Sequence, residues 1–263
     1  IGVRLVGSEM CIRDRGCHSG YLLMKNMNLL LKTVAAGLGS LLCSAAMAQA
    51  DADVSANNFF LDLPESTKYA VILAGPTVGE ENKSQFRQWA FSLHDILARD
   101  YGYSSDTISL LYDRGEVEGS GTERIDAACD LQGIEAELAR LQSIVKTGDQ
   151  ITIYLIGHGS GSDEESKFNI VGPDITGIQF AAMLDIFDQQ DMIIVNTTSA
   201  SYGFSASLSG EGRVVVSSTR SSSEKFDPVF SNYFIEALDS RNGDRDKNNR
   251  VSILEAFNYA KSN

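Results

Sequence analysis

Ile151-Thr-Ile-Tyr-Leu-Ile-Gly-His-Gly-Ser160 is the stretch whose reading decides the fold. Six mostly apolar residues, rich in β-branched and aromatic types, stop abruptly at Gly157-His158-Gly159. Met192-Ile-Ile-Val-Asn-Thr-Thr-Ser-Ala-Ser201 repeats the pattern and ends in hydroxyls. Continuous apolar runs of this length read as strands buried on both faces, as in parallel sheets. The C-terminal ends of such strands are where α/β proteins gather ligand and catalytic groups.

Working outward, the same alternation recurs. Tyr69–Leu73 and Thr107–Tyr112 read as strands, and so does Arg213–Ser217. Phe86, Trp89, Leu93, Ile96 and Leu97 fall at helical spacing over 84–99, and Ile134, Leu138, Leu141 and Val145 mark a second helix. Thr176-Gly-Ile-Gln179 is a capping-box pattern that opens a third through Phe187. Further helices are expected over 229–238 and 251–261, with a short one near Thr122. Strands separated by helices predict an α/β sandwich with a mainly parallel sheet covered on both faces.

Residues 1–23 precede two in-frame methionines, Met24 and Met27. From Met24, a basic start (Lys25, Lys32), an apolar run over 34–47 and small residues at Ala46, Ala48 and Ala50 form a secretory signal pattern. The apolar run is shorter than the roughly 20 residues of a membrane span. The expected organisation is non-native upstream sequence at 1–23, a signal peptide at 24–50, a polar leader at 51–67 and one domain at 68–263. The location is then secreted or periplasmic, with no stable membrane span after cleavage. Cys43 within the signal follows Leu42, bulkier than a lipoprotein processing site usually takes.

The chain carries 22 Lys and Arg against 35 Asp and Glu. Residues 1–50 hold five basic and two acidic side chains, which leaves 17 and 33 and a net charge near −16. Such a surface repels nucleic acid and anionic membrane. Only Cys129 lies beyond residue 50, so that part of the chain forms no internal disulfide.

His158 is the candidate base. Its flanking glycines let backbone approach a ligand closely; the alternative is a structural histidine bonded to a loop carbonyl. His94, on the 84–99 helix, reads as a surface or boundary residue. No second histidine or cysteine cluster supports a zinc site here. The hydroxyls of Thr197, Thr198, Ser199 and Ser201 end the neighbouring run, and a hydroxyl is activated only with a base within about 3 Å. Asp163, Glu164, Glu165 and Asp174 are near in sequence as orienting carboxylates, none singled out by spacing. The bland reading of the hydroxyls is a tight turn at a strand end.

Strand–His-Gly followed by strand–Asn-Thr-Thr-Ser-Ala-Ser-Tyr-Gly-Phe204 resembles the caspase-like clan of cysteine peptidases over roughly Lys68 to Leu238. The closer similarity is to the legumain and GPI-transamidase branch, peptidase family C13. The Asn-Thr-Thr-Ser-Ala-Ser pattern and Ser218-Thr-Arg-Ser221 also resemble a group of secreted bacterial proteins. The resemblance implies a caspase-like three-layer sandwich, with His158 at the catalytic histidine and Gly159 in the oxyanion region. Asn196-Thr197-Thr198 overlies the family's acidic-Ala/Thr-Cys tripeptide. Thr198 thus stands in place of the cysteine, and Ser199 one position later. A site built for a thiolate does not transfer to a hydroxyl of far higher pKa. The implied function is a secreted C13 peptidase-like protein without cysteine peptidase activity, acting in binding or scaffolding toward a peptide or protein. The alternative is a hydrolase with Thr198 or Ser199 as nucleophile and His158 as base. Arg220 is the better candidate for substrate recognition, with Glu224 and Asp227 as competing partners; Arg213 reads as a solvated strand start.

A second motif spans 244–255: Asp244, Asp246, Asn248, Arg250, Ser252 and Glu255 fall at positions 1, 3, 5, 7, 9 and 12 of a twelve-residue calcium loop. Arg250 would contribute its backbone carbonyl. Asn249 replaces the glycine of position 6. The competing reading is an acidic turn that caps the following helix.

Overall fold

The computed structural model describes residues 11–12, 66–76, 80–116, 119–221, 224 and 229–263. The expected signal peptide, the polar leader up to residue 65 and Asp227 lie outside the described residues.

Strands β1 (Cys11–Ile12), β2 (Lys68–Ala74), β3 (Ile108–Tyr112), β4 (Gln150–Ile156), β8 (Asp191–Asn196) and β9 (Arg213–Ser217) form one sheet, in the order β1-β9-β8-β4-β2-β3. Strands β2, β3, β4, β8 and β9 are mutually parallel. Cys11 and Ile12 add an antiparallel pair at the β9 edge, opposite Val215 and Val214. A smaller antiparallel sheet joins β5 (Gly159–Ser160), β6 (Lys167–Phe168) and β7 (Ile175–Thr176). It lies in the connection after His158, where runs of two residues carry no periodic signal.

Side chains alternate across the sheet with period two. On β2, Ala70, Ile72 and Ala74 join one core cluster, while Tyr69, Val71 and Leu73 join the other. The first cluster is completed by α1 (Glu80–Asp100), α5 (Phe230–Ser240) and α6 (Ile253–Ser262). The second is completed by α2 (Leu131–Ile144), α3 (Gly177–Leu184) and α4 (Ser201–Leu208). The six helices thus cover both faces of a mainly parallel sheet, as the strand–helix alternation requires. Helix α4, which sequence periodicity missed, follows β8 at once. Its apolar positions are sparse and its core contacts are Phe204 and Leu208.

Local signals set the boundaries. Asp130 caps α2 by accepting the Gly133 amide at 2.7 Å. Thr176 and Gln179 form the expected capping box on α3. Thr107 belongs to a one-turn 3-10 helix (Ser105–Thr107) rather than to β3. Cys129 is buried and free.

Candidate functional site

The parallel sheet brings the ends of β4 and β8 together, since Leu155 pairs with Asn196. Beyond this point β4 breaks at Gly157, whose φ of +140° is closed to most side chains. The chain then passes His158 into Gly159. From β8 it passes Thr197, Thr198 and Ser199 to Ala200, which holds a left-handed φ of 56° and opens α4. The two expected motifs therefore meet at one rim.

Gly159 and Ser199 are in direct contact. The Gly159 amide donates to Ser199 Oγ at 2.9 Å, and the Ser199 hydroxyl donates to the Gly159 carbonyl at 3.1 Å. A Cβ on Gly159 would lie 1.8 Å from the Ser199 carbonyl oxygen and 3.0 Å from Thr198 Oγ1. Only glycine allows this approach. The amide expected to serve an oxyanion is thereby engaged by a side chain of the protein itself.

Thr198, one of the two candidate nucleophiles, is 1 % exposed. Its hydroxyl donates to Asn196 Oδ1 at 2.7 Å, and its amide donates to the same oxygen at 3.0 Å. Asn196 is fully buried, and its Nδ2 has no hydrogen-bond partner among the described residues. Since Ile194 faces the second core cluster and Val195 the first, alternation turns Asn196 toward the second.

The His158 ring is half-buried and packs edge-on against Phe86 of α1, with ring centroids 5.0 Å apart. Phe86 belongs to the first cluster. The His158 carbonyl accepts the Asn169 amide at 3.1 Å. The ring is thus seated on the α1 side, whereas the Thr198 hydroxyl turns to a carboxamide of the opposite register. Neither the Thr198 nor the Ser199 hydroxyl is hydrogen-bonded to the imidazole.

A larger network lies behind these groups. Ser201 Oγ is 3.0 Å from each of Ser217 Oγ, Ser218 Oγ and Thr219 Oγ1, and it accepts the Thr219 amide. Ser218 Oγ donates to the Thr198 carbonyl at 2.8 Å, and Thr197 Oγ1 to the Leu155 carbonyl at 2.8 Å. This network ties the turn after β8 to the turn after β9. Ser201 is its hub. The sequence gives no sign of this network, because a hydroxyl carries no spacing signal of its own.

No family model and no curated protein sequence matches this chain. The chemistry of the rim therefore rests on its own geometry: a partly exposed imidazole beside hydroxyls already bonded to backbone and carboxamide.

The other expected groups are distributed as follows. Arg220 pairs with Glu224 at 3.2 Å on the surface beside this rim. Arg213 starts β9, at the far end of the sheet from His158, and binds Asp185 at 3.0 Å. Asp163, Glu164 and Glu165 are exposed, and Asp174 Oδ1 accepts the Ile170 amide. His94 Nδ1 lies 3.3 Å from Asp95.

Residues 244–255 join α5 to α6. Arg99, at the end of α1, binds Asp239 at 2.7 Å, which places this loop at the opposite end of the sheet from His158. Carboxylate oxygens of Asp244, Asp246 and Glu255 lie within 4.8 Å of one another, an arrangement that can hold a metal ion. The loop is wound around them: Asp244 accepts the amides of Asn248 and Asn249, and Glu255 Oε1 accepts that of Arg245. Asn249 adopts φ 66°, the left-handed turn that calcium loops give to glycine at this position. Glu255, only 6 % exposed, also forms a capping box with Ser252. Carboxylate cluster and helix cap therefore coexist in one loop. Asn248 and Ser252 are turned to partners within the loop, Asn248 Nδ2 to Asp246 Oδ2 and Ser252 Oγ to Glu255 Oε2.

Proposed function

We propose that this chain is an exported protein of the caspase-like clan, nearest the C13 branch, that has lost peptidase chemistry and serves in binding or scaffolding toward a peptide or protein. The carrying observation is the reciprocal pair between Ser199 and Gly159. It engages one candidate nucleophile and the amide that would stabilise an oxyanion in a single structural contact. A nucleophile needs a base at about 3 Å, and an oxyanion hole needs donors aimed at a vacant point. With Thr198 turned to Asn196 as well, the rim supports a turn-forming role for these hydroxyls. The α/β sandwich with its His-Gly and hydroxyl motifs at one rim agrees with the clan resemblance. No helix among the described residues is long and apolar enough to cross a membrane.

The loop at 244–255 is proposed as a Ca²⁺ site. Three carboxylates, the Asn249 turn and the buried Glu255 at position 12 fit an oxygen-only donor set for a hard divalent cation. Asp244, Asp246 and Glu255 would hold the ion, joined by Asn248 after rotation of its amide. The ion's role is structural, because the loop lies at the far end of the sheet from His158.

The test is turnover of a diverse peptide library by the purified protein. No hydrolysis above background is expected. Hydrolysis lost in His158→Ala and in either Thr198→Ala or Ser199→Ala would establish the hydrolase instead.

A further inference from the structure

The loop after β5 is pressed onto helix α4. Asp163 adopts a left-handed φ of 48°, and a Cβ on Gly203 would lie 2.2 Å from its carbonyl oxygen. Only glycine permits this approach. Loop and helix enclose a groove of about 310 Å³, lined by Asp163, Glu164, Tyr202, Gly203, Ala206 and Ser207. Tyr202 is 43 % exposed and supplies an aromatic wall. The groove lies on the α4 side of the sheet, whereas the His158 ring is seated on the α1 side. It is therefore separate from the rim described above.

The carboxylates of this groove are uncompensated. Asp163, Glu164 and the neighbouring Glu165 are exposed, and none of them is in an ion pair among the described residues. An aromatic face edged by carboxylates is complementary to a guanidinium, which stacks on the ring and donates forked hydrogen bonds to the acids. Elsewhere the chain fills such places with arginines of its own. Arg124 lies over the Phe91 ring, 5.6 Å from its centroid, and donates to both oxygens of Asp95 at 2.8 and 3.0 Å. A second depression, lined by Phe187, Asp185, Asp188 and Glu211, holds the largely buried Arg213 against Asp185. The Tyr202 groove has a comparable ring and acids but no basic residue in its lining.

We propose that the Tyr202 groove docks an arginine side chain of a partner peptide or protein segment. This role rests on the binding function proposed above and gives its partner a chemistry: a basic segment anchored by arginine. The guanidinium stacks on Tyr202 and pairs with Asp163 and Glu164, while its apolar stem lies along Gly203 and Ala206. The net charge of −13 draws such a segment in, and added salt weakens the complex.

The experiment is fluorescence anisotropy of the purified protein with a labelled Gly-Arg-Gly-Arg-Gly peptide and with its lysine counterpart. Saturable binding is expected, tighter for arginine, because an ammonium neither stacks nor forks. Tyr202→Ala, and Asp163→Asn combined with Glu164→Gln, should each weaken binding about tenfold. Asparagine tolerates the left-handed conformation of residue 163. Ala206→Arg places a guanidinium of the chain itself in the groove and should abolish binding. Asp188→Asn combined with Glu211→Gln removes the same charge at the other depression and should leave the affinity within about twofold. Circular dichroism checks that each variant is folded, and Ala206→Arg stands as a test independent of Tyr202. Equal losses in the two charge-removing pairs overturn the proposal. So does binding that survives both Tyr202→Ala and Ala206→Arg, and so does the lack of saturable binding up to millimolar peptide. Peptide cleavage, followed in the same samples, reports separately on the proposed absence of peptidase chemistry, since none of these substitutions touches His158, Thr198 or Ser199.

Discussion

Gly159 and Ser199 exchange two hydrogen bonds across the ends of β4 and β8, amide to hydroxyl and hydroxyl to carbonyl. The pair explains why a glycine must follow His158. It also fixes the turn after β8 against the turn after β4, so that substitutions at this rim act on stability first.

Gly159→Ala forces a methyl group to within 1.8 Å of the Ser199 carbonyl oxygen, a backbone atom that cannot swing aside. A loss of about 3 kcal/mol or more is expected, at the severe end of overpacking. Urea denaturation measures it as a fall in the midpoint at constant slope.

Ser201→Ala removes the hub that joins Ser217, Ser218 and Thr219. The buried Thr219 amide loses its acceptor, at a cost of about 1–3 kcal/mol, while the hydroxyls of Ser217, Ser218 and Thr219 keep their other bonds. Thr198→Ala removes one buried hydroxyl bond and leaves the amide bond to Asn196 in place, costing about 1 kcal/mol. The order Ser201 above Thr198 in denaturation midpoints is the discriminating outcome. A nucleophile without structural duties would show no loss at Thr198.

Calorimetry on the purified protein should show saturable Ca²⁺ binding, and Glu255→Gln should weaken it strongly. At a hundredfold excess over Kd, bound ion raises stability by about 2.7 kcal/mol, seen as a higher Tm. Binding absent at millimolar Ca²⁺ would leave the loop as a helix cap alone.

Burial works to raise the pKa of the Asp95 carboxyl, but two hydrogen bonds from Arg124 and the neighbouring His94 outweigh it and hold the group below its ordinary value. A depressed folded-state pKa contributes stability above the unfolded carboxyl range, and that contribution is lost as pH falls through the folded value. Asp95→Asn should therefore destabilise the protein at pH 7, by no more than about 1 kcal/mol for so exposed a pair. Wild type and variant should converge below the carboxylate range. Equal stability at both pH values would contradict the assignment.

Much of this architecture was legible because buried strands and amphipathic helices repeat a physical period. The runs at 151–156 and 192–196 have nowhere to go but the middle of a sheet. Phe86, Trp89, Leu93, Ile96 and Leu97 can share only one helix face. The Thr176–Gln179 box opens its helix as written. Helix α4 was not legible: Ser201 to Leu208 is small and polar because it starts inside a hydroxyl network. The strands at 159–160, 167–168 and 175–176 are too short for any period to show. At the rim, the sequence placed His158 and Thr198 on adjacent strand ends. It could not reveal that Asn196 faces away from Phe86, because that follows from strand register and not from residue type. The acidic spacing at 244–255 was readable, whereas the sharing of Glu255 between cap and cluster required the fold.

Covalent labelling tests the proposed absence of peptidase chemistry at this rim most directly. The native protein is incubated with a hydroxyl-directed electrophile, and its peptides are read by mass spectrometry. No adduct is predicted at Thr198 or Ser199, since both hydroxyls serve as hydrogen-bond partners within the fold. A stoichiometric adduct at either residue, abolished by His158→Ala in a protein that remains folded, would contradict the account.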